Sequence, residues 1–282
     1  MIRILAVHGV GNLRPGVSPQ VAEEALASSW QRYLDRGPLR SLGVDYEVYA
    51  AYYAPCLSQP GQQSGLARLE DLDALAQEMV LEWAMAQGMS ALGAQGRGTA
   101  PVRSAVSWVA QRRGLPESAV RTFVAVFFRE VEVYLGRSPD SPQRSAAREV
   151  VVRAVQAHHP DVVLAHSLGS VVAYEALNCL PENSTGLWVT IGSPLALPGA
   201  IYPRLDLVDR AQHSRPAGTA RWVNLADPGD LVAIPRRGIP LYFTGVDADV
   251  EASIDWLEFH QAEKYLSCPA FADLIKQYAV FR

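Results

Sequence analysis

Ser167 stands in the stretch Ala165-His166-Ser167-Leu168-Gly169, with an apolar run before it and "VVAYEAL" after it. A serine hydroxyl becomes a nucleophile only when it stands clear of the backbone and within reach of a base. A sharp strand-to-helix turn achieves this by forcing the serine into a strained backbone conformation. Such a turn crowds the positions two before and two after the serine, and Ala165 and Gly169 are both small. The helix that follows contributes its N-terminus, so the N–H of Leu168 can face a developing oxyanion. The chemistry these residues suit is acyl transfer through a covalent serine intermediate.

That chemistry needs a second oxyanion donor, a base and an acid. The loop "HGVGN" at residues 8–12 follows an apolar run, and the N–H of Val10 is its expected donor. Gly9 and Gly11 would let the backbone approach a substrate closely, with His8 and His166 expected beside it. The base follows by elimination, because a serine on this kind of turn takes its partners in the order serine, acid, histidine. Of the six histidines, His8 and His166 belong to the two turns, and His158 and His159 precede the serine strand. His213 lies in a polar loop ahead of any acid-bearing strand end, which leaves His260. For the acid, "WVNLADPGDLVAIP" offers Asp227 and Asp230. Either could orient the imidazole and support its charged form. Asp230 is preferred, because the apolar "LVAIP" behind it could anchor its loop; Asp227 remains the alternative.

Holding these groups together requires a scaffold, and the chain alternates strand-like with helix-like stretches. Residues 2–7 read as a central strand running into the glycine-rich loop. Residues 17–33 keep a helical rhythm, with Val21, Ala25, Leu26, Ser29 and Trp30 on one face. "VDYEVYAAYYAP" is β-branched and aromatic and stops at Pro55, as a second strand would. Strand, helix and strand in succession point to a parallel sheet. Further strands are expected in "VVLAH", "GLWVTIGSPL", "ARWVNLADPGD" and "PLYFTGVDADV", with helices over 145–158 and in "PAFADLIKQYAV". Residues 56–144 have a different texture: helical stripes separated by "SQPGQQSG", "GAQGRGTAP" and "GRSPDSP". The expected organisation is therefore a core of 1–55 and 145–282 with a helical cap of 56–144. In the cap's third helix Val120, Phe123, Val124, Phe127, Val131 and Tyr134 share a face that should mostly pack inward. Phe127 is its candidate for the substrate wall.

Composition narrows the function classes. With 282 residues, 49% hydrophobic and 19% charged, the chain can bury a full core and is not disordered. A net charge of −4 offers no electrostatic footprint for nucleic acid. Cys56, Cys179 and Cys268 are odd in number, far apart and without metal-ligand spacing. The first residues lack the length and cleavage site of a signal peptide, and no stretch approaches the ~20 apolar residues of a membrane span. The cytoplasm is the expected compartment.

Taken in order, "HGVGN", "AHSLGSVVAYEAL", "IGSPL", "DPGDLVAIP" and "HQAEKYL" resemble the α/β-hydrolase superfamily. Within it the chain looks most like bacterial serine esterases and lipases of the glycosylphosphatidylinositol-deacylase-like group. The motifs span the chain outside the insertion, which runs from Cys56 to about Arg144; the insertion and Ala165 in place of a glycine are departures. The resemblance implies an α/β fold, a mainly parallel sheet flanked by helices, acyl-enzyme chemistry and no cofactor. By position it puts the nucleophile on Ser167, the acid on Asp230 and the base on His260. The expected substrate is a small ester or thioester with a hydrophobic part. An acyltransferase or a peptidase would use the same residues, and a binding protein that had lost turnover would keep the fold. Membrane-surface contact through the stripe over 123–134 is the less favoured use of that face.

Overall fold

The structure is a computed structural model that describes residues 1–282 except 44, 59–67, 91–98, 137, 183, 207–212, 256–257, 259 and 281–282. Six strands form one sheet: β1 Ile2–Val7, β2 Tyr46–Ala51, β3 Val162–His166, β4 Leu187–Ile191, β5 Trp222–Ala226 and β6 Ala248–Glu251. Their order is β2-β1-β3-β4-β5-β6, and every pairing is parallel. Every residue of β3 and β4 is buried, as continuous apolar strands require when helices cover both faces. This is an α/β architecture.

The two faces follow from the two-residue alternation of a strand. Ile4 and Ala6 of β1 join a buried cluster with α1 (Pro19–Arg36), α8 (Ala262–Ser267) and α9 (Pro269–Val280). Leu5 and Val7 face the opposite cluster, which contains α5 (Pro142–His158) and α6 (Leu168–Asn178). The helices of the insertion, α2 Ala74–Ala86, α3 Ala100–Arg113 and α4 Glu117–Leu135, bury their apolar faces in that same second cluster. The turn-rich stretches 59–67, ahead of α2, and 91–98, between α2 and α3, lie outside the described residues. The end of α4 is fastened to α6 by a buried polar knot. Arg144 Nε donates to Glu175 Oε2 at 2.9 Å, and the Tyr134 hydroxyl donates to the same oxygen at 2.6 Å. A short helix, α7 (Ile239–Tyr242), precedes β6.

Two local expectations change. In α1 the buried stripe is Ala22, Leu26, Trp30 and Leu34, while Val21 is 55% exposed. Leu34 lies thirteen residues after Val21, so at 3.6 residues per turn the two point roughly 140° apart. Burying Leu34 turns Val21 outward. In "PLYFTGVDADV" only Ala248–Glu251 pairs with β5. The aromatic half instead begins in the helical turn Ile239–Tyr242, with Pro240 in its first turn, where the missing N–H costs nothing. Phe243 then packs edge-on against Trp222 and Tyr174. Among the described residues, no helix is long and apolar enough to cross a membrane.

Candidate active site

β3 ends directly in Ser167, whose backbone sits at φ 54 and ψ −132. That conformation is unfavourable for a residue with a side chain, by about 1–3 kcal/mol, and the surroundings hold it. Ser167 N–H donates to Ile191 O at 3.1 Å, and the Ser170 hydroxyl donates to Ser167 O at 2.6 Å. Ser170 is itself held by Ser193 at 2.7 Å. The turn packs tightly against the end of β1: a Cβ at Gly169 would lie against the carbonyls of Val7 and His8. Only glycine permits that approach. The register Val7 opposite Ala165 then brings the "HGVGN" loop beside the serine.

Three side chains from separate loops meet there. His260 Nε2 lies 2.7 Å from Ser167 Oγ, and His260 Nδ1 lies 2.8 Å from Asp230 Oδ2. With Nδ1 protonated toward the carboxylate, Nε2 is free to accept from the serine hydroxyl. Asp230 is fully buried. Burial alone would raise its pKa, but the His260 imidazole and hydrogen bonds from His260, Val232 N–H and the Tyr265 hydroxyl hold it below the ordinary carboxylate value. The Val232 bond is 2.9 Å and the Tyr265 bond 2.8 Å. Gly192, at φ +53, leaves the room these groups need, since a Cβ there would come within 2.8 Å of Asp230 Oδ2. Asp227 does a different job. Its carboxylate accepts from Gly229 N–H at 2.5 Å and Ile254 N–H at 2.7 Å, bracing its own loop. The loop that carries Asp230 is braced from α2 as well: Trp83 Nε1 and Gln87 Nε2, on and beside that helix, donate to Leu231 O at 2.6 and 2.8 Å.

The loop after β1 is fixed from several sides. His8 stacks on Tyr53, with ring centroids 4.1 Å apart. Its Nδ1 is 2.7 Å from Gly9 O, and its Nε2 accepts from Tyr53 N–H at 3.2 Å. That pairing assigns the proton to Nδ1. Asn12 Nδ2 donates to Gly9 O at 3.0 Å and Val10 O at 3.1 Å, and Gly11 N–H donates to Glu130 Oε1 on α4 at 2.9 Å. Val10 N–H meets no acceptor among the described residues, and Leu168 N–H is a first-turn donor that a helix leaves without an internal partner. Burial lowers His8 to about 4. It also lowers His166 to about 3, with the nearby His260 adding to the effect. Both rings are neutral at pH 7. His166 Nε2 lies 3.1 Å from His260 O, so its N–H anchors the loop that carries His260.

A cavity of about 780 Å³ opens onto these groups. His8, Gly9, Val10, Gly11, His166 and His260 line it together with Trp30 and Tyr33 of α1 and Thr122, Phe123 and Val126 of α4. Ser167 is 0% exposed and lies directly behind His260 and Gly9. Phe127 too is 0% exposed, stacked on Phe123 and edge-on to Phe128 and, at 6.4 Å between centroids, to His260; it is not among the residues lining the cavity. Phe123 does line the cavity, its ring centroid 5.1 Å from that of His260. The apolar face of α4 turns into the core, so the helix presents a mixed edge to the cavity.

Of the other residues that belong to the site, Tyr265 and Gly192 stand inside the stretches "HQAEKYL" and "IGSPL" and Phe123 in the stripe of α4, but the sequence marks no role for them; Glu130 has no such marker. Among the described residues, no group of three or more His, Cys, Asp and Glu side chains could hold a metal ion. The arrangement can deprotonate a serine hydroxyl, orient and charge-balance the base, and offer two backbone donors to an oxygen. No protein-family model, curated protein or solved structure significantly matches the chain.

Proposed function

We propose that the protein is a serine hydrolase of the α/β-hydrolase type, cleaving an ester or thioester through an acyl-enzyme on Ser167. The observation that carries this reading is the continuous line Ser167 Oγ, His260 and Asp230, with contacts of 2.7 and 2.8 Å. His260 Nε2 takes the serine proton as Oγ attacks the carbonyl, and Asp230 supports the resulting imidazolium. The carbonyl oxygen gains negative charge facing the N–H groups of Leu168 and Val10. Each preorganised donor of this kind is typically worth about 3 kcal/mol in the transition state. The proton on His260 then passes to the leaving alcohol or thiol, and water repeats the steps in reverse to free the acid. Acyl transfer and peptide cleavage share these steps up to the acyl-enzyme and differ in the acceptor or the leaving group.

The motif resemblance to esterases and lipases of the glycosylphosphatidylinositol-deacylase-like group supports the same chemistry. The cavity walls qualify the substrate: Trp30, Phe123 and Val126 suit an apolar portion, whereas Asn12, Arg14, Thr122 and Gln261 suit polar ones. An amphipathic ester is the best fit. The direct test is labelling of the purified protein with a fluorophosphonate probe, followed by mapping of the modified residue. Covalent addition at Ser167, lost in Ser167→Ala and His260→Ala, supports the proposal. A folded protein that resists the probe and hydrolyses no p-nitrophenyl ester of any chain length would turn the reading toward a binding protein.

A further inference from the structure

The loop that carries Val10 is held from three directions. Tyr52 and Tyr53, just after β2, bond the carbonyls of Asn12 and His8 at 3.2 and 2.7 Å. Asn12 and His8 bond the loop's own carbonyls. The third tie comes from the insertion: the Glu130 carboxylate accepts Gly11 N–H, the amide next to that of Val10. Gly11 has φ +73, and a Cβ there would lie 3.6 Å from Val126 Cγ1. Phe123, Val126 and Glu130 fall at i, i+3 and i+7, so they form one stripe of α4. The stripe runs from the imidazole of His260 to the oxyanion loop.

We propose that Glu130 is a positioning residue for the oxyanion hole: by holding Gly11 N–H it sets the direction of Val10 N–H, and it couples the cavity-facing edge of α4 to turnover. The inference rests on the hydrolase reading given above. Glu130 is the one carboxylate tied to this loop among the described residues. Its surroundings offer little compensation. Burial raises it to about 7, against the opposing pull of the Gly11 bond and of Arg129 on its own helix. From β2's end the charged-state neighbour is the Tyr53 phenol, itself buried and raised. An ionised acceptor makes roughly twice as strong a bond as a neutral one, so the tie tightens as Glu130 loses its proton.

The test reads the rate at which a fluorophosphonate probe modifies Ser167, measured from about pH 5 to about pH 9. In that step the Oγ–P bond forms, the P–F bond breaks, fluoride leaves and His260 keeps the serine proton. The phosphonyl oxygen occupies the oxyanion hole, so the rate reports its geometry. Glu130→Ala should lower the rate about tenfold or more. Glu130→Gln keeps a carbonyl acceptor and should recover most of that loss at high pH. It should also change the acid limb. The parent should show a bounded inflection near pH 7, where Glu130 takes up its proton, and Glu130→Gln should lack it. Parental rates in folded Glu130→Ala, or an acid limb unaltered in Glu130→Gln, would overturn the inference. The second outcome decides the matter even if Glu130→Ala does not fold. A parent protein that the probe never labels removes the hydrolase reading and this inference with it, whereas labelled parent with unaffected variants removes this inference alone.

Discussion

The hydroxyl of Tyr265 donates to Asp230 Oδ2 at 2.8 Å, the same carboxylate oxygen that faces His260 Nδ1 at 2.8 Å. The hydroxyl also accepts Asp227 N–H at 2.8 Å, so one oxygen ties both candidate acids into a single network. A carboxylate with a second donor on its working oxygen is held in position, and its charge is supported before the base ever protonates. We predict that Tyr265→Phe lowers kcat/KM, or the rate of Ser167 phosphonylation, by about tenfold, the value of one hydrogen bond to a charged group. It should also cost about 1–3 kcal/mol of stability, because Asp227 N–H loses its partner inside the protein. Denaturation and labelling kinetics on the same sample check both.

The two aspartates separate on different measurements. Asp230→Asn removes the charge facing His260 and favours the wrong tautomer, so the rate should fall by about 10⁴ while the fold persists. Among the described residues the Asp227 carboxylate bonds only backbone amides, those of Gly229 and Ile254. Asp227→Asn should therefore lower the melting temperature more than it lowers the rate. Equal rate losses in the two variants would mean that the Asp227 loop, rather than the Asp230 charge, governs the base.

How much of this was readable from the chain depends on whether the signal is local. The Ser167 turn is legible because its crowding selects small residues within two positions on either side, Ala165 and Gly169. His260 is legible because chain order excludes the other histidines, and Asp230 because an apolar run follows it. The strands of the buried sheet centre are legible as uninterrupted apolar runs. What was hidden acts across long sequence separations. Tyr265 lies 35 residues from Asp230 and Glu130 lies 119 from Gly11; Tyr265 falls inside "HQAEKYL", but nothing in that stretch says which carboxylate it meets. Phe123 and Phe127 share a stripe by periodicity, but the cavity edge passes between them. Both rings meet the imidazole edge-on, and only the tertiary packing decides that Phe123 borders the cavity while Phe127 is enclosed.

That division at α4 gives a paired prediction. Phe123 lines the cavity with its ring edge-on to His260 at 5.1 Å, whereas Phe127 is enclosed among core residues and meets the same imidazole from farther off, at 6.4 Å. Phe127→Ala should cost about 3–5 kcal/mol of stability and leave the chain-length profile of the surviving folded protein near the parent's. Phe123→Ala should cost less stability and change the relative kcat/KM of short and long acyl esters. Since Ser167 is buried behind His260, removing the Phe123 ring should also speed its modification by bulky probes. A profile that responds to Phe127→Ala and ignores Phe123→Ala would mean that the wall of the substrate site lies on the other side of the helix.

The neutral histidines make stability depend on pH in a direction that can be worked out. His166 falls from an ordinary 6.5 to about 3 in the folded protein, chiefly through burial. Below pH 6.5 the unfolded chain therefore takes up a proton that the folded chain refuses. The contribution is complete above that value and is lost as pH falls toward about 3, by up to about 1.4 kcal/mol per pH unit. His8 adds the same dependence down to about 4. Glu130 works the other way, because its raised value lets the folded protein keep a proton between 4.5 and about 7 that the unfolded chain has released. The summed curve mixes these effects, so the comparison must be with a single variant. His166→Gln keeps an N–H donor for His260 O and cannot titrate. The stability gap between parent and variant should therefore shrink by roughly 1–2 kcal/mol between about pH 7 and about pH 5.5, through the single proton involved. Urea titrations at the two values measure it. A gap that stays constant would mean that the folded protein protonates His166 as readily as the unfolded chain does, and the ring would then carry a positive charge beside His260 in the range where the base must work.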